Sequence, residues 1–164
     1  MIQRDDEKLL YMTDWQFCKY RLSSLHINHF LIGVNYSEIP EGENRDHVLH
    51  GHASLDTVKE FLKVNVTEST RSIIACHLSE LNADESKILR TIEQLVYGSD
   101  YIKLIEKRES IREQIISAET SCNDELEYEL YDAFFEVNKE INKIKIKQNL
   151  LVDIAEKGKV FNLE

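Results

Sequence analysis

A chain of 164 residues, 42% hydrophobic and 30% charged, suits one domain with room for an appendage, and its composition excludes global disorder. A formal net charge of −10 excludes binding to nucleic acid or anionic membrane through a general positive field. It does not exclude a nuclease, because a metal site carries local positive charge of its own.

No apolar run approaches the ~18 residues of a membrane span, and the start, Met1-Ile2-Gln3-Arg4-Asp5-Asp6-Glu7-Lys8, is no secretion signal. Cys18, Cys76 and Cys122 show no paired spacing and no C-x-x-C. They read as reduced thiols of a cytoplasmic protein, not as a disulfide framework or a zinc knuckle.

In chain order, Lys8 to Thr13 (KLLYMT) reads as a short buried strand ending at Asp14. Asn28 to Val34 (NHFLIGV) is a second, too continuously apolar for a half-exposed face. Residues 38–46 hold the only proline and several turn formers, so they read as a loop. Ser54 can N-cap the next segment, where Leu55, Val58, Phe61 and Leu62 recur at helical spacing. Arg71 to Cys76 (RSIIAC) is a third strand. Asn82 is placed to cap a second amphipathic helix carrying Ile88, Leu89, Ile92, Leu95 and Val96, which stops near Gly98. Strands alternating with helices build a layered α/β sheet. Its apolar strands call for cover on both sides, and these elements supply one layer.

After Gly98 the pattern changes. Residues 101–150 hold no glycine and no proline. Leu104, Ile111, Ile115 and Ala118, then Phe134, Val137, Ile141, Ile144 and Leu151, follow coiled-coil steps on either side of Thr120-Ser121-Cys122-Asn123-Asp124. This predicts an antiparallel helical hairpin. Val152 and Ile154 return to strand alternation, Lys157-Gly158 reads as a turn, and Val160 and Phe161 resume the strand pattern. A hairpin brings its ends together, so it can be inserted into a domain without disturbing it. The alternative is a helical C-terminal extension. The charges Glu106, Lys107, Arg108, Glu109, Lys139, Lys143, Lys145 and Lys147 read as a solvated face, or else as a basic end that touches nucleic acid or a partner protein.

Three positions carry chemistry. Asp14 and His77 each end a buried strand, where a carboxylate or an imidazole makes a good metal ligand. His52 lies in Gly51-His52-Ala53-Ser54, just before a helix whose free N–H groups and positive dipole end favour an anion such as phosphate. Taken singly, each has a plainer reading: a turn aspartate, a structural histidine, a loop histidine beside an N-cap.

Their order and spacing resemble the C-terminal half of the metallo-β-lactamase fold: strand–Asp14, strand–Asn35-Tyr36, Gly51-His52-Ala53-Ser54–helix, strand–His77-Leu78-Ser79. The Gly51-His52-Ala53-Ser54 piece, followed by a helix and a strand ending in His77, looks most like the hydrolase and nuclease branch that includes the β-CASP nucleases. The resemblance spans about residues 6–100 and resumes at 152–164. It implies an α/β fold, the C-terminal half of an αββα sandwich over 1–100, with the helical hairpin inserted at 101–150 and terminal strands returning at 151–164. It implies a metal-dependent hydrolase of phosphodiesters, nucleic acid among them. Asp14 matches the metal-bridging aspartate, His77 the last metal histidine, and His52 a histidine on the scissile phosphate; Asn35 and Asn82 stand behind them. The metal is zinc, or else manganese or iron, and no membrane is involved.

The family's H-x-H-x-D-H motif and a further metal histidine precede its aspartate. Here thirteen residues precede Asp14 and none is histidine, while His26, His29, His47 and His50 stand elsewhere. Gly33 stands where related hydrolases tend to carry an acidic residue. The expectation is a chain inactive until a separate N-terminal-half chain or self-association completes the site, since an unpaired half-sandwich exposes apolar surface. The rival expectation is a non-catalytic interaction protein working through its hairpin.

Overall fold

The computed structural model describes residues 1–38, 51–80, 82–121 and 123–155. The loop expected at 38–46, Glu38 apart, lies outside the described residues, as do His47, His50, Cys122, the turn at Lys157-Gly158 and the strand expected at Val160 and Phe161.

The described residues form a mixed α/β protein with a five-stranded sheet and four α-helices: β1 (Ile2–Arg4), β2 (Glu7–Met12), β3 (His29–Gly33), α1 (Leu55–Asn65), β4 (Ser72–Cys76), α2 (Glu85–Tyr97), α3 (Ser99–Thr120), α4 (Asp124–Gln148) and β5 (Leu151–Ile154). The strands lie in the order β1-β2-β3-β4-β5. β1 pairs antiparallel with β2, and the other neighbours are parallel. β1 has no signature in the sequence because all three of its residues are exposed. A turn at Asp5, with φ of 53°, folds it back onto β2. Among the described residues no helix is long and apolar enough to cross a membrane.

Two compact units make up the chain, one from residues 1–95 with the segment from 150 onward, the other from 96–149. In the first, register sets the core. Residues paired across a sheet point to the same face, so Leu10, Phe30, Ile73 and Val152 form one row, and Met12, Ile32, Ala75 and Ile154 the next. Of these eight, only Met12 is not fully buried. Phe61 of α1 packs edge-on against Phe30 at 6.4 Å and against Trp15 at 5.3 Å. The opposite face is more open, with Tyr11 and Leu151 exposed and Leu9 and Leu31 half-buried. At one end of that face the buried His29 is fully engaged. Its Nδ1 meets Ser72 Oγ at 2.8 Å, and its Nε2 meets Glu7 Oε2 at 3.1 Å.

α2 begins at Glu85, not at Asn82 as the sequence suggests. Asp84 is the cap: its carboxylate accepts the N–H of Lys87 at 3.0 Å, and its carbonyl accepts that of Ile88. Asp at this position is as good a cap as Asn. The Asn82 carbonyl instead accepts the Ser37 N–H at 3.0 Å.

The second unit is an antiparallel hairpin. Tyr131 of α4 bonds Glu119 of α3 near the turn, and Lys145 lies over the Tyr101 ring at the far end. Tyr101, Ile105, Ile111, Ile115 and Ala118 of α3 are buried, as are Leu130, Val137 and Ile141 of α4. Leu104, Phe134 and Ile144, expected in the seam, are half-buried. Leu151, expected to continue it, belongs to β5: Asn149 takes a left-handed φ of 45° and ends the helix. α4 has 25 residues and is about 38 Å long at 1.5 Å per residue. The chain leaves the sheet unit after α2 and re-enters it at β5, where Leu151 N–H bonds the Arg71 carbonyl at 2.8 Å.

Gly33 closes β3 in a crowded spot. A Cβ there would stand 3.2 Å from the Thr13 Cα and 3.7 Å from the His77 Cβ. The obstruction on the β2 side is backbone and cannot rotate away. Gly33→Ala should therefore cost about 1–3 kcal/mol, read as a lowered urea midpoint at unchanged m-value.

Candidate metal centre

Parallel strands end on the same side of a sheet, and α/β proteins place ligands outside those carboxyl ends. Asp14 follows β2 by two residues, Asn35 follows β3 by two, and His77 is the first residue after β4. That edge brings together residues far apart in sequence. His77 Nε2 lies 2.9 Å from Asp14 Oδ1. The His52 ring stacks beside the His77 ring, with centroids 6.2 Å apart and planes inclined by 29°. Asp14, His52 and His77 each offer a ligand atom within 4.8 Å of the others. His52 is half-buried, and its Nδ1 is enclosed without a hydrogen-bond partner among the described residues.

Two of the three sit in strained backbone. Asp14 has φ of 42° and His77 φ of 56°. A side-chain-bearing residue in that region costs on the order of 1–3 kcal/mol and persists where its surroundings over-determine it. β4 before His77 is buried throughout, whereas β2 before Asp14, expected to be buried, has only Leu10 buried; in both places the left-handed turn redirects the side chain close to where the strand stops.

The supports converge on Asn35, which is buried. Its Nδ2 donates to the His77 carbonyl at 3.2 Å, and its Oδ1 accepts the Ala53 N–H at 3.2 Å. Its own N–H donates to the Ala53 carbonyl at 2.9 Å, and its carbonyl accepts the Ser79 N–H at 3.1 Å. One residue thus fixes both histidine segments. Leu55 N–H bonds the Tyr36 carbonyl at 2.9 Å, continuing the attachment into α1. Ser54 caps α1 by accepting the Thr57 N–H at 3.0 Å, and Gly51, with φ of 80°, opens the turn before His52. Asn82 stands one step away: its Nδ2 donates to Ser79 Oγ at 3.3 Å.

Of the other residues weighed from the sequence, His29 is held in the polar network at the far end of the sheet. His26 ends a 3₁₀ turn with a left-handed φ of 50° and is exposed. Sequence reasoning passed over Trp15. Its indole N–H donates to the Gly33 carbonyl at 3.1 Å, and the ring is buried against Phe61, which pins the residue next to Asp14 to the end of β3. A lone tryptophan directly after a strand-end aspartate was the available signal. Burial pushes the Cys76 thiol up to about 11, so it stays protonated at neutral pH and offers no nucleophile.

No protein-family model, no curated protein and no solved structure matches this chain.

Asn35→Ala removes both side-chain bonds and leaves the Ala53 N–H buried without its acceptor. The expected loss is about 1–3 kcal/mol, measured by chemical denaturation. Asn35→Asp keeps the acceptor for Ala53 but turns a buried carboxylate oxygen toward the His77 carbonyl in place of the donor, so it should lower the denaturation midpoint as well.

Proposed function

We propose that this chain is the C-terminal half of a metal-dependent hydrolase of the metallo-β-lactamase fold, acting on phosphodiesters once further ligands complete its site. One observation carries the reading: Asp14 and His77, which follow strands, and His52, which precedes a helix, offer donors within 4.8 Å of one another at a single sheet edge. The parallel order of β2 to β5 is compatible with one sheet of an αββα sandwich. On this reading the open face, with Tyr11 and Leu151, is the seat of the N-terminal half.

The donor set fits a divalent metal. The His77 imidazole and the Asp14 carboxylate suit zinc, with manganese or iron as alternatives, and His52 lies beside them on the substrate side. The enclosed His52 Nδ1, without a partner among the described residues, supports an environment shaped for more than packing. Asp14 and His77 would hold the ion, and their 2.9 Å contact keeps carboxylate and imidazole aligned. The two ions that the resemblance implies need donors beyond these, brought by another chain. When bound, such a metal supplies an activated water and polarises the phosphoryl oxygen.

The rest of the chemistry belongs to the chain. His52 lies two residues before the Ser54 cap of the 11-residue α1, where the helix end favours negative charge. There it can hold a proton against a phosphate oxygen. Asn35 keeps His52 and His77 at a fixed separation. A second reading, an interaction protein working through its hairpin, draws support from the exposed Tyr128 and Phe135 of α4.

Zinc and manganese titrations of the purified chain, followed by calorimetry and elemental analysis, test the metal reading. The wild-type chain should take up metal, and Asp14→Ala combined with His77→Ala should abolish uptake while the far-UV spectrum stays unchanged. His52→Ala should retain uptake, because its role is on the substrate side. Uptake that persists in the Asp14→Ala, His77→Ala variant overturns the site assignment, and a folded wild-type chain that binds no divalent metal, alone or mixed with a chain that carries the H-x-H-x-D-H motif, overturns the proposal.

A further inference from the structure

α4 has a second stripe of apolar rings outside the buried hairpin seam, in which only the Tyr131 hydroxyl reaches α3, at Glu119, among the described residues. Tyr128, Tyr131, Phe135 and Ile146 are 76%, 46%, 66% and 78% exposed. With Asn138 and Asn142 they follow steps of three and four residues along one side of the helix, offset from the buried Leu130, Val137 and Ile141. Repetition at this spacing makes a helix-pairing seam.

Charge along the same helix is divided into two blocks. Its first half carries Glu125, Glu127, Glu129, Asp132 and Glu136 with no base, and its second half Lys139, Lys143, Lys145 and Lys147 with Glu140 as the only acid. The helix dipole favours acids at the start and bases at the end, but its influence fades within the first and last turns. This division runs the whole length of 25 residues. α3 does not mirror it, since Lys103, Glu106, Lys107, Arg108, Glu109, Arg112 and Glu113 are interspersed.

We infer that α4 pairs antiparallel with α4 of a second copy of this chain through the Tyr128–Ile146 stripe. A two-fold axis near Glu136 and Val137 sets Tyr128 of one copy beside Ile146 of the other, Tyr131 beside Asn142, and Phe135 beside Asn138. It also lays each acidic half over a lysine half. A parallel pair would stack acid on acid, so the charge division selects the antiparallel one. A two-fold pairing is self-complementary and closes at two copies. Rings of this size bury roughly 150–250 Å² each, and at the exposures given the six rings of Tyr128, Tyr131 and Phe135 newly cover about 750 Å², below the ~1,200 Å² of a standard interface. The dimer is therefore dissociable.

Sedimentation equilibrium of the full chain from micromolar to sub-millimolar concentration tests this. The expected mass rises with concentration from the 19.2 kDa of one chain to twice that value. Phe135→Glu should weaken association by about tenfold or more, as loss of a central aromatic does. Lys143→Glu with Lys147→Glu should weaken it as well, and so should Glu125→Lys with Glu129→Lys, whereas an equimolar mixture of these two charge variants should associate again. A chain that stays monomeric throughout overturns the inference. So does a dimer indifferent to Phe135→Glu with both charge variants, or a mixture that fails to re-associate. The charge variants alter exposed side chains only, so they remain informative if Phe135→Glu fails to fold.

Discussion

The Asn35 side chain lies between two segments that share no sequence neighbourhood, donating from Nδ2 to the His77 carbonyl and accepting the Ala53 N–H at Oδ1. A buried amide whose groups are all engaged is stable, whereas one left half-engaged costs about 1–3 kcal/mol. The separation of His52 and His77 therefore depends on Asn35 being satisfied on both sides at once. The backbone bonds from Asn35 to Ala53 and Ser79 repeat the constraint. Without this tie, α1 could still pack through Phe61, but nothing would set the position of the residues just before it.

That constraint works because of where the sheet places it. Four strands run parallel, so β2, β3 and β4 finish together, and the residues that follow them meet at one edge. Gly33 lets the end of β2 approach closely, and Trp15 fastens the chain after Asp14 to the end of β3. At the opposite end, His29 is enclosed by Ser72 and Glu7. The two ends of one sheet thus treat histidine differently. One satisfies both ring nitrogens, and the other leaves the Nδ1 of His52 without a partner among the described residues.

Much of this was legible in the residues. Continuous apolar runs gave β3 and β4 nearly to their ends, because strands buried on both faces leave that pattern; β2 was found by the same kind of run although one of its faces is open. Ser54 announced the start of α1. Heptad steps announced the hairpin, although Leu151 was counted into it because Asn149's left-handed turn has no strong signature. β1 was invisible, since an exposed edge strand is held by its partner and not by its own pattern. The candidate site was legible as Asp14, His52 and His77, but the tie through Asn35 was not. Proximity in sequence pointed equally to Asn82, which turned out to bond Ser37 and Ser79. Hydrogen-bond partners distant in sequence cannot be read from spacing.

Asp14 and His77 in left-handed backbone have a consequence for how this chain tolerates change. Glycine occupies that conformation without the penalty a side chain brings, so a library selected only for folding should drift toward it at both positions. Retention of aspartate and histidine there would need a selection that acts on something other than folding. Those two positions thus separate two pressures that coincide at Phe30 or Ile73, where the residue best for the core is simply the residue present.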